Sequence, residues 1–155
     1  MSLVSKLKEF SLFEGFSDAE LRQIATFIEE VEFQDGQTIL HESGGTKSLY
    51  FLLSGKVRVL REISGKNSII TKLSAFDVFG EVAFADQGQR SATIMSDGVA
   101  QIGVFEYDHF EIIKKQNPAL GMKFLLQMMR SLASKFRVVN KSLDNLLKNV
   151  LGETN

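Results

Sequence analysis

A Gly-Glu pair and an arginine further along the chain are the residues best suited to chemistry. Gly80 lets the backbone approach an anion closely, and a helical turn starting there directs the N–H groups of Val82 and Ala83 at it. The planar guanidinium of Arg90 can bind two phosphate oxygens at once. Glu81 only accepts hydrogen bonds, so beside a phosphate it suits a neutral hydroxyl such as a ribose 2′-OH. The spacing predicts a site for a cyclised sugar phosphate.

The segment Phe79-Gly80-Glu81-Val82-Ala83-Phe84, followed by Arg90-Ser91-Ala92-Thr93, resembles the phosphate-binding cassette of the cyclic nucleotide-binding domain family. That family includes bacterial catabolite activators and the regulatory subunits of cyclic-AMP-dependent kinase. The resemblance implies that Glu81 holds the ribose 2′-hydroxyl and that Arg90 holds the cyclic phosphate. It also implies that the remaining ligand contacts come from Gly80, Val82, Ala83 and Ser91.

The resemblance covers nearly the whole chain. Residues 35–40 look like a turn and strand of the family, and residues 49–59 look like its central hairpin. Gln89 precedes the arginine where kinase-type members usually carry proline, which leaves the subfamily open.

The base end of the site departs from the family pattern. Catabolite activators place adjacent hydroxyl residues midway along the long helix, whereas this chain has Lys135-Phe136 there. Phe136 can stack on a base, which gives affinity with little discrimination. The base pocket is predicted to comprise Val59, Ile70, Leu132, Lys135 and Phe136. We expect cAMP as the ligand in preference to cGMP, with cGMP left open because cGMP-preferring members use a threonine at the Ser91 position to contact guanine.

Composition limits the alternatives. A chain of 155 residues predicts one domain spanning 1–155. Its 18 Lys+Arg and 19 Asp+Glu nearly cancel, which argues against a strong general attraction to nucleic acid or an acidic membrane. The absence of cysteine excludes disulfides and thiolate chemistry and suits a reducing compartment. With no signal peptide or apolar span in the first residues, we expect a soluble, cytoplasmic protein.

The distribution of turns and apolar residues predicts an α+β fold. Ser17-Asp18-Ala19-Glu20 is a capping signature for a short helix from about Asp18 to Glu29. From about 31 to 105, short β-rich runs alternate with glycine-containing turns, which favours a small antiparallel β-barrel or jelly roll. Helical pattern returns at Asp108.

A long C-terminal helix is predicted over about 118–150, with Asn117 as N-cap and Pro118 in its first turn. Its apolar residues keep a heptad rhythm, and a helix of roughly 30 residues extends about 45 Å. Because a small barrel cannot cover that length, we expect a homodimer through residues 122–150; the alternative is a helix folded back on its own barrel. We call these apolar residues the seam: Met122, Leu125, Met129, Leu132, Phe136, Val139, Leu143, Leu146 and Val150.

Catalytic and metal functions are disfavoured. His41 and His109 are the only histidines, and no clustered His/Glu set accompanies them, so no metal site and no cofactor are expected. They are predicted to be surface or capping residues. The carboxylates at turns and helix starts form no pair placed for acid–base work, so the protein is not expected to be an enzyme.

These observations predict a regulatory domain that senses a cyclic nucleotide and couples binding to movement of a dimerising C-terminal helix. The alternative is a structural dimerisation module that binds no nucleotide, whose relic pocket holds Glu81 and Arg90 in a partly buried ion pair. Direct DNA binding is not expected, since no recognition helix follows the long helix before residue 155.

Overall fold

The computed structural model describes residues 1–152 and confirms the α+β fold, an antiparallel sheet with helices at both ends. The helices are α1 (Leu3–Leu7), a 3-10 turn (Ser11–Phe13), α2 (Asp18–Ala25), α3 (Glu81–Asp86), α4 (Tyr107–Gln116) and α5 (Pro118–Val150). The strands are β1 (Ile28–Phe33), β2 (Thr38–Leu40), β3 (Leu49–Ile63), β4 (Lys66–Ser74), β5 (Val78–Phe79) and β6 (Thr93–Phe105).

Two long strands, β3 and β6, organise the sheet. The strand order is β1-β6-β3-β4, with β2 also paired to β6 and β5 to β3. The pairing register shifts between Leu52 and Ser54 and again between Ser54 and Lys56. Such bulges bend a strand and increase its twist, which lets β3 and β6 serve different parts of the sheet along their lengths.

Helix α2 is shorter than the helix predicted from the sequence. Its capping box is present, because the Ser17 hydroxyl accepts from the Glu20 amide while the Glu20 carboxylate accepts from the Ser17 amide. However, α2 ends at Ala25 and β1 begins at Ile28, so the helix expected to reach Glu29 and the barrel expected from 31 were both misplaced. Continuous antiparallel pairing of β1 with β6, from Ile28 opposite Phe105 to Phe33 opposite Ala100, overrides the local helical pattern.

The core consists of two apolar clusters with the cassette between them. The larger cluster lies under the helices and is rich in phenylalanine: Phe10, Phe13, Phe51, Phe84, Phe105, Phe110 and Phe124. The smaller cluster lies within the sheet and includes Tyr50, Leu52, Phe79 and Ile102. Phe84 of α3 belongs to the first cluster and Phe79 of β5 to the second, so the segment between them is held at both ends.

The two halves of α5 have different environments. The helix begins as predicted, with the Asn117 side chain accepting from the Leu120 amide at 3.2 Å. Phe124 and Met128 are buried in the core. Every residue from 133 to 152 is exposed, so the second half does not fold back on the sheet. All seam residues except the half-buried Leu132 are exposed.

Within residues 1–152, no helix combines the length and the apolar character that crossing a membrane requires.

Candidate functional site: a cavity beside α3

Gly80 occupies a position that another residue would fill only with strain. It is the N-cap of α3 with φ +82°, in the left-handed region that favours glycine. A Cβ at this position would lie 2.7 Å from Nη1 of Arg90 and 3.0 Å from the carbonyl oxygen of Ser48. Gly80 therefore permits both the turn into α3 and the close approach of the arginine.

Arg90 is buried, with 4 % of its surface exposed, and all its hydrogen-bond acceptors are neutral. Nη2 donates to the Ser48 carbonyl at 2.7 Å, Nη1 donates to the Gly80 carbonyl at 3.0 Å, and Nε contacts the Thr46 hydroxyl at 3.3 Å. Its guanidinium carbon lies 5.4 Å from the centre of the Tyr50 ring. Burial is the main cause that lowers the pKa of Arg90 from its ordinary value.

The backbone around Arg90 is anchored to the loop between β2 and β3. The Arg90 carbonyl accepts from the Ser43 amide at 2.9 Å, and the Arg90 amide donates to the Gly44 carbonyl at 3.2 Å. Lys47 donates to the Gln87 carbonyl at 2.6 Å, which holds the preceding turn. These contacts fix both the backbone and the head of the arginine, so the guanidinium is pre-positioned.

Glu81 is the second buried charge of the site, at 7 % exposure. Its partner is Lys135 of α5, whose ammonium donates both to Oε1 of Glu81 and to the Val78 carbonyl, the latter at 2.7 Å. Glu81 and Arg90 therefore do not form the ion pair expected for a relic pocket. Among the described residues, Arg90 is in no ion pair.

The structure brings the six predicted phosphate and ribose residues to one cavity. Its volume is about 70 Å³, and it is lined by Leu40, Gly80, Glu81, Val82, Ala83, Arg90, Ser91, Ala92 and Ile94. This is smaller than the roughly 300 Å³ at which ligand pockets usually begin. The cavity as it stands therefore surrounds only part of a nucleotide-sized ligand.

The predicted base-pocket residues are not assembled in the same way. Val59 is half-buried beside the sheet cluster, and Ile70 is 46 % exposed at the position where the register of β3 and β4 shifts. Leu132 lines a different cavity of about 280 Å³ between α3, α4 and α5. Lys135 reaches Glu81 instead of a base site, and Phe136 is 65 % exposed.

Sequence reasoning did not identify the residues that hold Arg90. Thr46, Ser48 and Tyr50 lie 40 to 44 positions before it in the chain. The Ser48 hydroxyl also donates to Glu106 at 2.8 Å, which fixes the segment whose carbonyl receives the guanidinium. No local sequence pattern predicts these contacts, because two of the three acceptors for Arg90 are backbone carbonyls.

The histidines lie outside the cavity. His41 is exposed, as expected for a surface residue. His109 is half-buried and its ring lies 5.2 Å from that of Phe27, so it packs against an aromatic side chain. Within residues 1–152, no group of three or more His, Asp or Glu side chains is arranged to hold a metal ion.

The chain thus combines a small antiparallel sheet, a cassette with buried Glu81 and Arg90, and a long C-terminal helix. The model of the cyclic nucleotide-binding domain family matches residues 30–117, which is more than half of the chain. The chain belongs to the cyclic nucleotide-binding domain family, and the resemblance drawn from the cassette is confirmed.

Its curated relatives include the cAMP-activated global transcriptional regulator CRP of Pasteurella multocida, 32 % identical over 111 residues. That match covers 70 % of this chain and 53 % of the regulator, so the chain spans about half the regulator's length.

Solved structures support the fold. A cyclic nucleotide-binding domain from Methylobacillus flagellatus aligns with a TM-score of 0.81 at 24 % identity, covering 95 % of this chain and 82 % of that one. The catabolite activator protein of Thermus thermophilus aligns with a TM-score of 0.77 at 23 % identity, covering 88 % of this chain and 62 % of that one.

Proposed function

We propose that this domain senses a cyclic nucleotide, cAMP in preference to cGMP, in the cavity beside α3. The observation that carries the proposal is a buried arginine whose charge meets only neutral oxygens among the described residues. A buried charge is costly unless an opposite charge compensates it. A cyclic phosphate would supply that charge at the place where the family's cassette binds one.

Each cassette residue has a role that its chemistry supports. Arg90 binds the cyclic phosphate through its fork, with the first amides of α3 and the Ser91 hydroxyl beside it. Glu81 accepts a hydrogen bond from the ribose 2′-OH. The preference for cAMP draws on the name of the Pasteurella relative, which describes it as activated by cAMP.

Binding is coupled to α5. Because the cavity surrounds only part of a nucleotide-sized ligand, enclosing the whole ligand requires an element around it to move. Lys135 connects α5 directly to Glu81, whereas the helix beyond it is exposed, so α5 is the element that can respond. The base is received between Phe136 and the predicted residues Val59, Ile70 and Leu132.

The exposed seam supports a homodimer. Large apolar side chains such as Met129, Phe136 and Val139 are 66 %, 65 % and 62 % exposed, and a continuous apolar stripe of this kind marks an interaction surface. A second copy would cover the stripe with an identical one, which is the geometry of a parallel coiled coil. The proposed location of the protein is the cytoplasm. The effector that these residues contact is proposed not to be DNA.

Calorimetric titration of cAMP and cGMP into ligand-free protein tests the binding proposal. The wild-type protein should show saturable binding that is tighter for cAMP. Arg90→Leu should weaken cAMP binding by about 30- to 4,000-fold, since the phosphate loses a buried charge partner worth roughly 2–5 kcal/mol.

Because Arg90 is buried, the variant's thermal unfolding must be recorded alongside. Arg90→Lys keeps the charge without the fork and should bind with intermediate affinity. Arg22→Leu, at an exposed arginine on α2, is the matched control and should bind like wild type. A folded Arg90→Leu protein with unchanged affinity would contradict the assignment.

The second candidate function is a nucleotide-free dimerisation module, which the exposed seam favours. Sedimentation equilibrium on the same samples separates the two. A dimer with no heat from either nucleotide would favour the structural module, whereas a nucleotide-binding protein that stays monomeric over the whole concentration range would remove the homodimer from the proposal.

A further inference from the structure

Lys135 stands where the ligand's ribose is proposed to bind. Its ammonium contacts Oε1 of Glu81 and donates to the Val78 carbonyl at 2.7 Å, so it bridges α3 and β5 from the side of α5. The Glu81 side chain is only 9 % exposed in this arrangement, which leaves little of the carboxylate open. One of the two carboxylate oxygens that a 2′-hydroxyl could use, Oε1, is thereby already engaged by Lys135.

Lys135 and Phe136 cannot both face the cassette. Adjacent residues on an α-helix point about 100° apart. With Lys135 directed at Glu81, Phe136 is 65 % exposed and is not placed over the cavity. Stacking of Phe136 on a bound base would therefore require α5 to rotate or shift, which removes Lys135 from Glu81.

We propose that Lys135 is an internal competitor of the ligand, and that exchange of Lys135 for the ribose 2′-hydroxyl at Glu81 releases α5 and sets both affinity and sugar specificity. This inference rests on the proposed function. The proposal implies two positions of α5. In one, Lys135 contacts Glu81; in the other, Phe136 faces the base. A ligand shifts this equilibrium because it binds only the state that leaves Glu81 free.

The first test compares cAMP with 2′-deoxy-cAMP on the wild-type protein, Lys135→Met and Lys141→Met. Lys135→Met should bind cAMP up to about five-fold more tightly, the factor expected when a partly exposed ion pair no longer opposes binding. The gain should be smaller for 2′-deoxy-cAMP, which has no hydroxyl to exchange for Lys135. Lys141→Met, at an exposed lysine further along α5, should bind both ligands like wild type.

Two results for Lys135→Met would contradict the inference. If Lys135→Met binds cAMP more weakly than wild type, or with the same affinity, Lys135 is not a competitor and the inference is overturned, while cAMP binding by the wild-type protein still supports the proposed function.

A second measurement tests the inference without any ligand. Because the chain has no cysteine, Ser54→Cys and Ser142→Cys can carry two spin labels, one on β3 and one on α5. Pulsed EPR on ligand-free protein should give a narrow distance distribution with Lys135 present and a broader or shifted one with Lys135→Met. Identical distributions would overturn the inference even if no nucleotide binds, so its failure is distinguishable from failure of the proposed function.

Discussion

The cassette buries charged side chains, whereas the second half of α5 exposes apolar ones. In the cassette, Glu81 and Arg90 are 7 % and 4 % exposed, whereas on α5 the apolar Val139 and Leu146 are 62 % and 58 % exposed. Charged side chains are rarely fully buried unless paired, and continuous apolar stripes are rarely left open. The proposed partners, an anion at the cassette and a second apolar helix at the seam, would each compensate one of these regions.

The two regions meet at one contact between charged residues, that of Lys135 with Glu81. Up to Leu132 the long helix is at least partly covered by the core, and beyond it every described residue is exposed. Lys135 lies at this boundary. The proposed coupling between the cassette and the seam would therefore run through this contact.

The sharpest test of the contrast uses two phenylalanines on the same helix. Phe124 is 1 % exposed and Phe136 is 65 % exposed. Phe124→Ala should lower the free energy of unfolding by about 3–5 kcal/mol, because it leaves a cavity in the core. Phe136→Ala should change it by less than about 0.5 kcal/mol in dilute monomer. Denaturant unfolding measures both.

Phe136→Ala also reports on the seam. If the cost of this substitution rises with protein concentration while that of Phe124→Ala does not, the seam is covered by a second copy in solution. If Phe136→Ala and Phe124→Ala lower the free energy of unfolding by the same amount at every protein concentration, the two halves of α5 do not differ as described.

The next largest effect is expected at the turn into α3. Gly80→Ala should destabilise the protein by about 3 kcal/mol, of which about 1–2 kcal/mol comes from the left-handed backbone and the rest from the contact with Arg90. Gly65 is the matched control, with φ +77° and no atom within 4 Å of an added Cβ. Gly65→Ala should show the backbone cost alone, and thermal unfolding compares them. Equal losses would show that the cassette tolerates the added methyl.

A smaller loss than at Phe124 or Gly80 is expected at the anchor of the first half of α5. The hydrogen bond from Lys123 lowers the pKa of Glu20, and the Ser17 amide lowers it further. A lowered folded-state pKa means stability that is present above the unfolded pKa of about 4.3 and is lost as pH falls through the folded value. Glu20→Gln should therefore cost about 0.5–1 kcal/mol near neutral pH, and progressively less in acid.

Urea denaturation across the pH range checks this prediction. Glu29→Gln is the control, since Glu29 is an exposed carboxylate on β1 and takes part in no ion pair among the described residues. A Glu20→Gln cost that persists unchanged below the folded pKa would show that the carboxylate's charge is not what anchors α5.

Local signals predicted much of the architecture. The capping residues Ser17 and Asn117, the turn-rich middle and the heptad rhythm each act over a few residues, and the structure has α2, the sheet and α5 in that order. The end of α2 was missed because residues after Ala25 pair with β6, some 70 positions later. The ligand-contacting roles of the cassette and base residues stay predictions.

The family, the antiparallel fold and the grouping of the cassette could all be predicted from residue types and spacing, because Gly80, Glu81 and Arg90 lie within one short segment that must fold together. What surrounds these side chains depends on packing between distant segments. Ser48 reaches Arg90 across 42 positions and Lys135 reaches Glu81 across 54. Such contacts depend on how strands and helices pack, and no residue type or spacing along the chain encodes a backbone carbonyl's position.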